Sequence, residues 1–447
     1  RASYCIGTLL PTMAKAMALN MRVHAPSGAP ADELDCRRTR PGDSVRYQPY
    51  SRACRFDDGA GVAGVGGGVV GDWWKPMPSQ AGKKLAGVGD VPFFLEPGPA
   101  KWGKSVIDKL AASGSSSVDL SLRFHLRSDQ KIATGTFGQV FEGKELETMK
   151  DVAIKVVRKE EGATLDAIDE AAKLNLISGQ NHRLFPTCYA TGLMHGHFCI
   201  IQERLGTDLS KELTRLRTLT GKRTGVPEAT ARSVARQLCE AVAFLNSLGL
   251  THTDLKTENI TLDGRASCIL DAEVRIKVID LGCASWGGGP AGTVTQTCHY
   301  RAPEVLLGLE WKFPCDMWSV GCILLELLEG EITFDTLYLA QHLALIEHVV
   351  GPIPPALLLR AGPCASQFLS ANRARVLWPE SSGGGVHLPR SAELEAQVLC
   401  AWPLRNRVEG GSHTLAVDFL SGVLAIDPLN RLSPLTARFH PWLLDDP

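Results

Sequence analysis

Strand-like and helix-like periods of hydrophobic and polar residues follow one another between about residues 130 and 330. Residues 274–279 alternate apolar and charged side chains, which is the pattern of a half-buried strand. The short apolar run 152–154 also predicts a strand, whereas residues 164–177 carry apolar side chains at helical spacing, namely Ala167, Ala171, Leu174 and Ile177. Residues 316–328 predict a strongly apolar helix. Together these patterns predict an α+β fold.

Residues 1–120 lack such periods, and glycine and alanine dominate around residues 59–71. This composition predicts a low-complexity, mostly disordered region that precedes a domain beginning near residue 121. Residues 9–21 could be mistaken for a targeting segment. Pro11 and Lys15 interrupt the segment, so no cleaved targeting peptide is predicted.

Composition favours a soluble intracellular protein. The 447 residues carry a formal net charge of -1, 44% of them are hydrophobic, and no apolar run reaches the ~20 residues of a membrane span. The 13 cysteines form no Cys-x-x-Cys pair, and several fall inside apolar elements, as Cys199, Cys239 and Cys322 do. We therefore expect reduced core thiols. We also expect a monomer, with neither a membrane partner nor direct binding of nucleic acid.

Residues 251–259 read THTDLKTEN and resemble the catalytic loop of protein kinases, because the Asp, Lys and Asn stand at the expected offsets. The resemblance implies that Asp254 is the catalytic base, that Lys256 assists it, and that Asn259 holds a metal ion. One loop would thereby orient a substrate hydroxyl and bind the metal.

Upstream, a segment with two glycines resembles the loop that covers ATP phosphates, where missing side chains let backbone N–H groups approach oxygen. Ala133 stands in place of the first glycine, and alanine tolerates positive φ poorly, so a looser loop is expected. Taken alone, the segment could equally be a hairpin turn. The predicted nucleotide-binding residues here are Ile132, Ala133, Thr134, Gly135, Thr136, Phe137, Gly138, Gln139 and Val140.

The apolar run 152–154 ends in Lys155, which matches the strand lysine that pairs with the α and β phosphates. Such a lysine needs an acidic partner on the following helix. Glu170 is the candidate, since it lies close to the apolar stripe of residues 164–177. Asp166 and Asp169 are the alternatives, because a register predicted from sequence is uncertain by a few residues.

Residues 280–282 follow a predicted strand and read Asp-Leu-Gly, in the place of the kinase Asp-Phe-Gly. The resemblance implies that Asp280 binds Mg²⁺, a hard cation that prefers oxygen ligands, with Asn259 as the second protein ligand. Leu281 keeps an apolar side chain at the middle position. Asp-Leu-Gly is a common turn elsewhere, and its place after the catalytic loop favours the metal interpretation.

Residues 297–304 read TCHYRAPE and resemble the end of a kinase activation segment. By this resemblance Thr297 contacts the catalytic Asp and Lys, and Glu304 pairs with a late arginine, Arg431. Such a buried pair would be structural rather than catalytic.

The chain is identified more narrowly by HTDLK in the catalytic loop, YRAPE in the activation segment, and residues 341–352, QHLALIEHVVGP. These resemble the LAMMER (CDC-like) kinases of the CMGC group. Gln341 stands where that family has a Glu, and His348 where it has an Arg. The alternative is the dual-specificity tyrosine-regulated kinases, which usually carry Cys at the position of Thr253 and Ser at that of Ala302.

The resemblance implies a bilobal eukaryotic protein-kinase fold over about residues 121–445. A small β-rich lobe is expected at about 121–202, a hinge at 203–206, and a large helical lobe at about 207–445 with a CMGC insert at about 352–402. ATP and Mg²⁺ are the implied cofactors. Ala153 and the hinge residues Glu203 and Leu205 would hold the adenine, with Gln202 as an unusual polar gatekeeper.

The implied function is transfer of phosphate from Mg-ATP to Ser or Thr hydroxyls of proteins, with Tyr as a further acceptor. Family resemblance suggests basic, Arg/Ser-rich substrates such as splicing factors, and a location in the nucleus or cytoplasm. The chain lacks the arginine-serine repeats of many relatives. A pseudokinase that binds partners without turnover is the alternative, although no catalytic group is replaced.

Thr253 predicts an unusual mode of regulation. In many kinases an arginine at this position pairs with a phosphorylated activation-loop residue, and the phosphate thereby orders the loop. Threonine cannot make that pair. We therefore expect activity that does not depend on phosphorylation of Thr293 or Thr295.

Overall fold

A five-stranded antiparallel sheet begins the described part of the chain, which in this computed structural model comprises residues 119–135, 138–264, 268–378, 392–406 and 413–444. The strands lie in the order β1-β2-β3-β5-β4. Their bounds are β1 Phe124–Thr134, β2 Gly138–Glu145, β3 Asp151–Val157, β4 Cys188–Met194 and β5 His197–Glu203. β-branched residues of β3 pack on one face of the sheet against Phe124, Phe141 and Ile201, which forms a small core.

Helix α1, Glu161–Gly179, lies between β3 and β4 in the sequence and contacts β3, β4 and β5. The predicted apolar stripe is confirmed, because each of its four side chains is at most 2% exposed and belongs to the larger core. The helix extends a few residues beyond the predicted span 164–177 at both ends. The stripe therefore fixes which helical face points toward the sheet.

The chain after residue 206 is mostly helical in its described part. Its main helices are α2 Leu209–Thr220, α3 Glu228–Ser247, α4 Pro303–Leu306, α5 Pro314–Glu329, α6 Leu339–Val349, α7 Pro355–Arg360, α8 Pro363–Ser366, α9 Ala392–Cys400, α10 His413–Val423, α11 Pro434–Ala437 and α12 Pro441–Leu444. Four short strands form two further antiparallel pairs, β6 Leu250–Thr251 with β9 Ser285–Trp286 and β7 Ile260–Leu262 with β8 Ile276–Val278.

Helix α5 is the central element of the larger core, and thirteen of its sixteen residues are buried. Proline occupies its first turn, where no backbone N–H is needed. The helix ends at Gly330, whose φ of 75° is left-handed. A Cβ at Gly330 would approach the backbone oxygen of Thr224 to 2.5 Å, so only glycine fits there.

The sheet followed by a helical region confirms the predicted α+β class. The cysteines of the described ranges are free thiols, and Cys199, Cys239 and Cys322 are buried as predicted. Within the same ranges no helix is long and apolar enough to cross a membrane. The prediction for residues 1–120 falls almost entirely outside the described residues, as do Thr136, Phe137 and residues 379–391 of the predicted insert.

Candidate active site

Lys155 and Glu170 meet where β3 passes helix α1. The Lys155 ammonium lies 2.8 Å and 2.6 Å from the two carboxylate oxygens of Glu170, and Asp280 Oδ1 is 3.6 Å away. Burial opposes the charge of Lys155, but the two carboxylates outweigh burial and raise its pKa. Of the three acids considered, the structure brings Glu170 to Lys155, whereas Asp169 pairs with Lys173 one helical turn along. The arrangement presents a fixed cation to the cleft.

The first half of β2 lies beside Lys155, because Val140 of β2 pairs with Lys155 of β3. Gly138 permits this approach, since a Cβ there would come within 2.2 Å of the Val156 carbonyl oxygen. The expectation for Ala133 is wrong in one respect. Ala133 lies within β1 opposite Val140 and its φ is not positive, so the missing glycine creates no backbone strain.

Asp254 is held by three side chains predicted around it. Thr297 Oγ1 donates to Asp254 Oδ1 at 2.6 Å, and Lys256 Nζ donates to Oδ2 at 2.8 Å and to Thr297 Oγ1 at 2.9 Å. Asn259 Nδ2 donates to the Asp254 carbonyl oxygen at 2.7 Å and to Oδ2 at 3.2 Å. The Asp254 carboxylate is thereby fixed in orientation. Burial of Lys256 opposes its charge, but the Asp254 carboxylate outweighs burial and the pKa of Lys256 is raised.

Asp316, at the start of α5, anchors the loop from behind. Its fully buried carboxylate accepts the backbone N–H of His252 at 2.7 Å and of Thr253 at 2.9 Å. Thr253 has a φ of 64°, a strained value for a β-branched residue, and these two bonds hold it there. Burial raises the pKa of Asp316 against the effect of the N–H donors. In the sequence, the only sign of this anchoring role is an acidic residue at the start of an apolar helix.

Asp280 and Asn259 lie on neighbouring segments, because the Ile279 N–H donates to the Asn259 carbonyl oxygen at 2.9 Å. The Asp280 side chain is 46% exposed, its φ is 64°, and its Oδ1 accepts the Gly282 N–H at 3.3 Å. Burial opposes its ionisation, but Lys155 outweighs burial and the pKa of Asp280 is lowered. Asn259 uses its amide nitrogen for Asp254, so the amide oxygen is left for a ligand. This donor set fits Mg²⁺.

No group of three or more His, Cys, Asp or Glu side chains in the described ranges could hold a metal by itself. One carboxylate and one amide oxygen leave most positions of an octahedral ion open. A Mg²⁺ ion at Asp280 and Asn259 would therefore need further oxygens from a phosphorylated ligand or from water.

The chain is similar to known proteins in sequence and in fold. The protein kinase domain model matches residues 126–443. Serine/threonine-protein kinase AFC1 of Arabidopsis thaliana is 33% identical, covering 72% of this chain and 71% of the relative. Dual specificity protein kinase CLK2 of Homo sapiens is 31% identical, covering 70% of this chain and 62% of the relative. A crystallised kinase domain is 31% identical with a TM-score of 0.64, covering 72% of this chain and 95% of that domain.

The chain belongs to the protein kinase family, in its LAMMER (CDC-like) branch. The predicted kinase fold, the family and the enzyme class are confirmed: this is a serine/threonine or dual-specificity kinase, which binds ATP and acts on protein substrates. The sheet and the helical region are accordingly the two lobes of a kinase.

The predicted hinge, residues 203–206, carries two ion pairs that the sequence did not reveal. Glu203 Oε2 accepts from Lys277 Nζ at 2.9 Å and from the Thr187 N–H at 3.1 Å. Arg204 Nη2 lies 2.9 Å from Glu142 of β2. Lys277 belongs to the strand predicted as half-buried, yet it is only 8% exposed, so that prediction is wrong for this residue. The ion pair with Glu203 offsets the cost of burying its ammonium.

Strand pairing places the residues that are predicted to hold adenine. Gln202 lies opposite Ala153, and Glu203 lies opposite Val152. Leu205 is buried at the end of the segment, where the Arg204 guanidinium donates to its carbonyl oxygen. The structure thus places the Ala153–Gln202 pair two residues along β3 from Lys155, and Glu203 one residue further. Their roles in holding adenine stay predictions.

Two further networks hold the activation segment. Arg431 makes two parallel bonds to Glu304, at 2.7 Å and 2.8 Å, as the sequence predicted. Tyr300 OH donates to Glu326 Oε2 at 2.6 Å, and Thr257 Oγ1 donates to Oε1 at 3.2 Å. Thr257 stands where the family usually has Pro, so its bond to Glu326 is an addition in this chain. The catalytic loop, the activation segment and α5 are thereby joined.

Proposed function

We propose that this kinase transfers the γ-phosphate of Mg-ATP to Ser and Thr hydroxyls of basic, arginine-containing proteins. The observation that supports the transfer most directly is the Asp254 carboxylate, which Thr297, Lys256 and Asn259 fix in orientation beside the Lys155–Glu170 pair. Nuclear residence and a monomeric state stay predictions from the resemblance.

The roles follow from the geometry. Asp254 orients a substrate hydroxyl and accepts its proton, and Lys256 offsets negative charge that develops beside it. Lys155, kept charged by Glu170, positions the α and β phosphates. Asp280 and Asn259 would hold Mg²⁺, which when bound neutralises charge on the β and γ phosphates.

Glu258 is the carboxylate beside the catalytic loop that supports a basic substrate, whereas the neighbouring Glu326 is buried. Glu326 is 6% exposed, and it pairs with no cation among the described residues. Burial and the nearby Glu258 raise the pKa of Glu326 to about 7, even though the Tyr300 and Thr257 hydroxyls oppose this. Glu258 itself is exposed. An arginine side chain of the substrate would pair with the exposed Glu258 carboxylate.

The acidic residues at the end of α5 and just after it do not form one surface cluster. Glu326 is buried in the network described above, Glu331 pairs with Arg223, and Asp335 lies 3.4 Å from His299. The exposed carboxylate nearest to the catalytic residues in sequence is therefore Glu258.

We expect an arginine-flanked serine peptide to be phosphorylated at least about tenfold better, in kcat/KM, than the same peptide with the arginines replaced by glutamine, a difference of ~1.4 kcal/mol. Glu258→Gln should reduce this discrimination. Radiolabelled phosphate transfer measures both. Glu147→Gln, an exposed glutamate in the turn after β2, is the matched control. Equal rates for both peptides would contradict the basic substrate, and no transfer to either would contradict the kinase mechanism.

Hydrogen bonds within the protein hold the activation segment, whereas many kinases use a phosphate for this purpose. The buried Thr253 hydroxyl donates to the Cys283 carbonyl oxygen at 2.6 Å. Gln296 donates to the Cys315 carbonyl oxygen at 3.0 Å and to Ser319 at 2.8 Å. Arg301 is bonded to the carbonyl oxygens of residues 295 and 296. These contacts support a segment that is ordered without phosphorylation.

We therefore expect phosphatase treatment of bacterially made enzyme to change its turnover by less than about tenfold, under ~1.4 kcal/mol. Turnover of treated and untreated samples, with phosphate content checked by mass, measures this. Loss of Thr297 should lower activity for a different reason, because it removes the bond to Asp254. A collapse in rate that phosphorylation of Thr293 or Thr295 restores would show that Arg301 receives the phosphate.

A further inference from the structure

Gln341, at the start of the LAMMER-like segment, joins three parts of the chain. It is fully buried in α6. Its amide nitrogen donates to the Leu394 carbonyl oxygen at 3.1 Å and to Gln397 Oε1 at 3.0 Å, both on α9 of the insert. Its amide oxygen accepts from the Thr336 hydroxyl. An amide is required here, because a carboxylate has no proton to donate.

The orientation of these amides follows from their partners. Gln397 Nε2 lies 2.6 Å from the Asp335 carbonyl oxygen, which can only accept, so Gln397 must turn its amide nitrogen that way. Its oxygen then faces Gln341, which must donate. The family has Glu at this position, and this chain replaces it with the residue that α9 requires.

Residues 335 and 336 also contact the activation segment. Cys298 Sγ donates to the Thr336 carbonyl oxygen at 3.1 Å, and His299 Nε2 lies 3.4 Å from Asp335 Oδ1. Both residues directly follow Thr297, which bonds to Asp254. A continuous path of polar contacts therefore runs from α9 through Gln341 to the segment that supports the substrate.

These polar contacts matter because α9 buries little apolar surface. Within α9, all of whose residues are described, only Val398 is buried, and Leu399 is 73% exposed. Little apolar area is available to fix the helix, so loss of the Gln341 bonds should loosen it.

We propose that Gln341 is a positioning residue that couples the insert helix α9 to the substrate-binding end of the activation segment. The proposal rests on the kinase function proposed above and adds the insert to its substrate platform. Substrate affinity depends on this coupling, whereas nucleotide affinity does not, because the path contacts no residue predicted to bind ATP.

The test uses the full chain with Gln341→Glu, which keeps the side-chain shape and removes the donor. The KM for the arginine-containing peptide should rise about fivefold, ~1 kcal/mol, while kcat and the KM for ATP change by less than about twofold. Hydrogen exchange should become faster in α9 and in residues 297–301. Gln367→Glu is the matched control, since that insert glutamine donates only within its own helix, to the Cys364 carbonyl oxygen.

Gln397→Ala is the second variant, because Gln397 is only partly buried and the change removes the same link from the α9 side. It should raise the peptide KM in the same direction even if Gln341→Glu fails to fold. Unchanged peptide KM in the folded variants, or a fall in kcat alone, would overturn the coupling while leaving wild-type activity intact. A wild-type enzyme without activity would instead overturn the kinase mechanism.

Discussion

Asp254→Asn is expected to lower phosphate transfer by roughly 10²–10⁴-fold without unfolding the protein. The amide that replaces the carboxylate cannot accept the proton of the substrate hydroxyl. One of its two ends must also present N–H groups to Thr297 or Lys256, which both donate to Asp254. Single-turnover transfer of radiolabelled phosphate isolates this step from substrate binding and product release.

The control for this variant is Asp271→Asn, an exposed aspartate in the loop before β8. It makes the same chemical change away from the cleft and should leave the rate unchanged. Lys155→Met should show a loss of similar order, because it removes the cation that Glu170 orients. Near-normal rates in both active-site variants, with melting temperatures close to wild type, would show that the chemistry uses other groups.

Local patterns in the sequence were sufficient to place the main parts of the site. The lysine that ends an apolar strand and the glutamate beside an apolar helical stripe meet in the structure, because each element has only one way to bury its apolar face. The Asp254 loop could be recognised for a related reason, since its functional groups lie within six residues of one another. Short sequence separation makes such a constellation visible before the fold is known.

Contacts between distant segments could not be predicted in this way. Asp316 holds the backbone of residues 252 and 253 from more than sixty positions away, and a single acid at a helix start gives no sign of that partner. The misjudged burial of Lys277 has the same cause. Its alternating strand appears half exposed until Glu203 of the hinge covers it. Tertiary packing, rather than the local period, decided both cases.

Departures from the family pattern were interpreted less well than agreements with it. Ala133 was expected to loosen the nucleotide loop, but it sits in an ordinary strand conformation. Gln341 departs from the family motif, yet it donates hydrogen bonds that the usual Glu could not donate, and Thr257 likewise makes a bond that Pro could not make. A substitution in a motif has to be judged together with the residues that surround it, which the sequence alone does not identify.

Asp280→Asn is expected to lower turnover by about three orders of magnitude and to remove the Mg²⁺ dependence of ATP binding. Asp280 is the one carboxylate of the described site that is both exposed to the cleft and close to Lys155. Its lowered pKa keeps it ionised, and hence able to bind a cation, throughout the neutral range. An amide in its place offers a weaker oxygen ligand without charge, and it leaves Lys155 with Glu170 as its remaining acidic partner.

Titration of ATP with and without Mg²⁺ separates this metal role from a purely structural one. If Asp280 binds the metal, Mg²⁺ tightens ATP binding in the wild type but not in Asp280→Asn, while metal-free ATP binds both proteins similarly. A structural role would instead weaken ATP binding in both conditions by the same factor. Asn259→Ala provides an independent check, because removal of the second proposed oxygen ligand should weaken the Mg²⁺ dependence as well. Equal tightening by Mg²⁺ in wild type and Asp280→Asn would mean that the ion is held elsewhere.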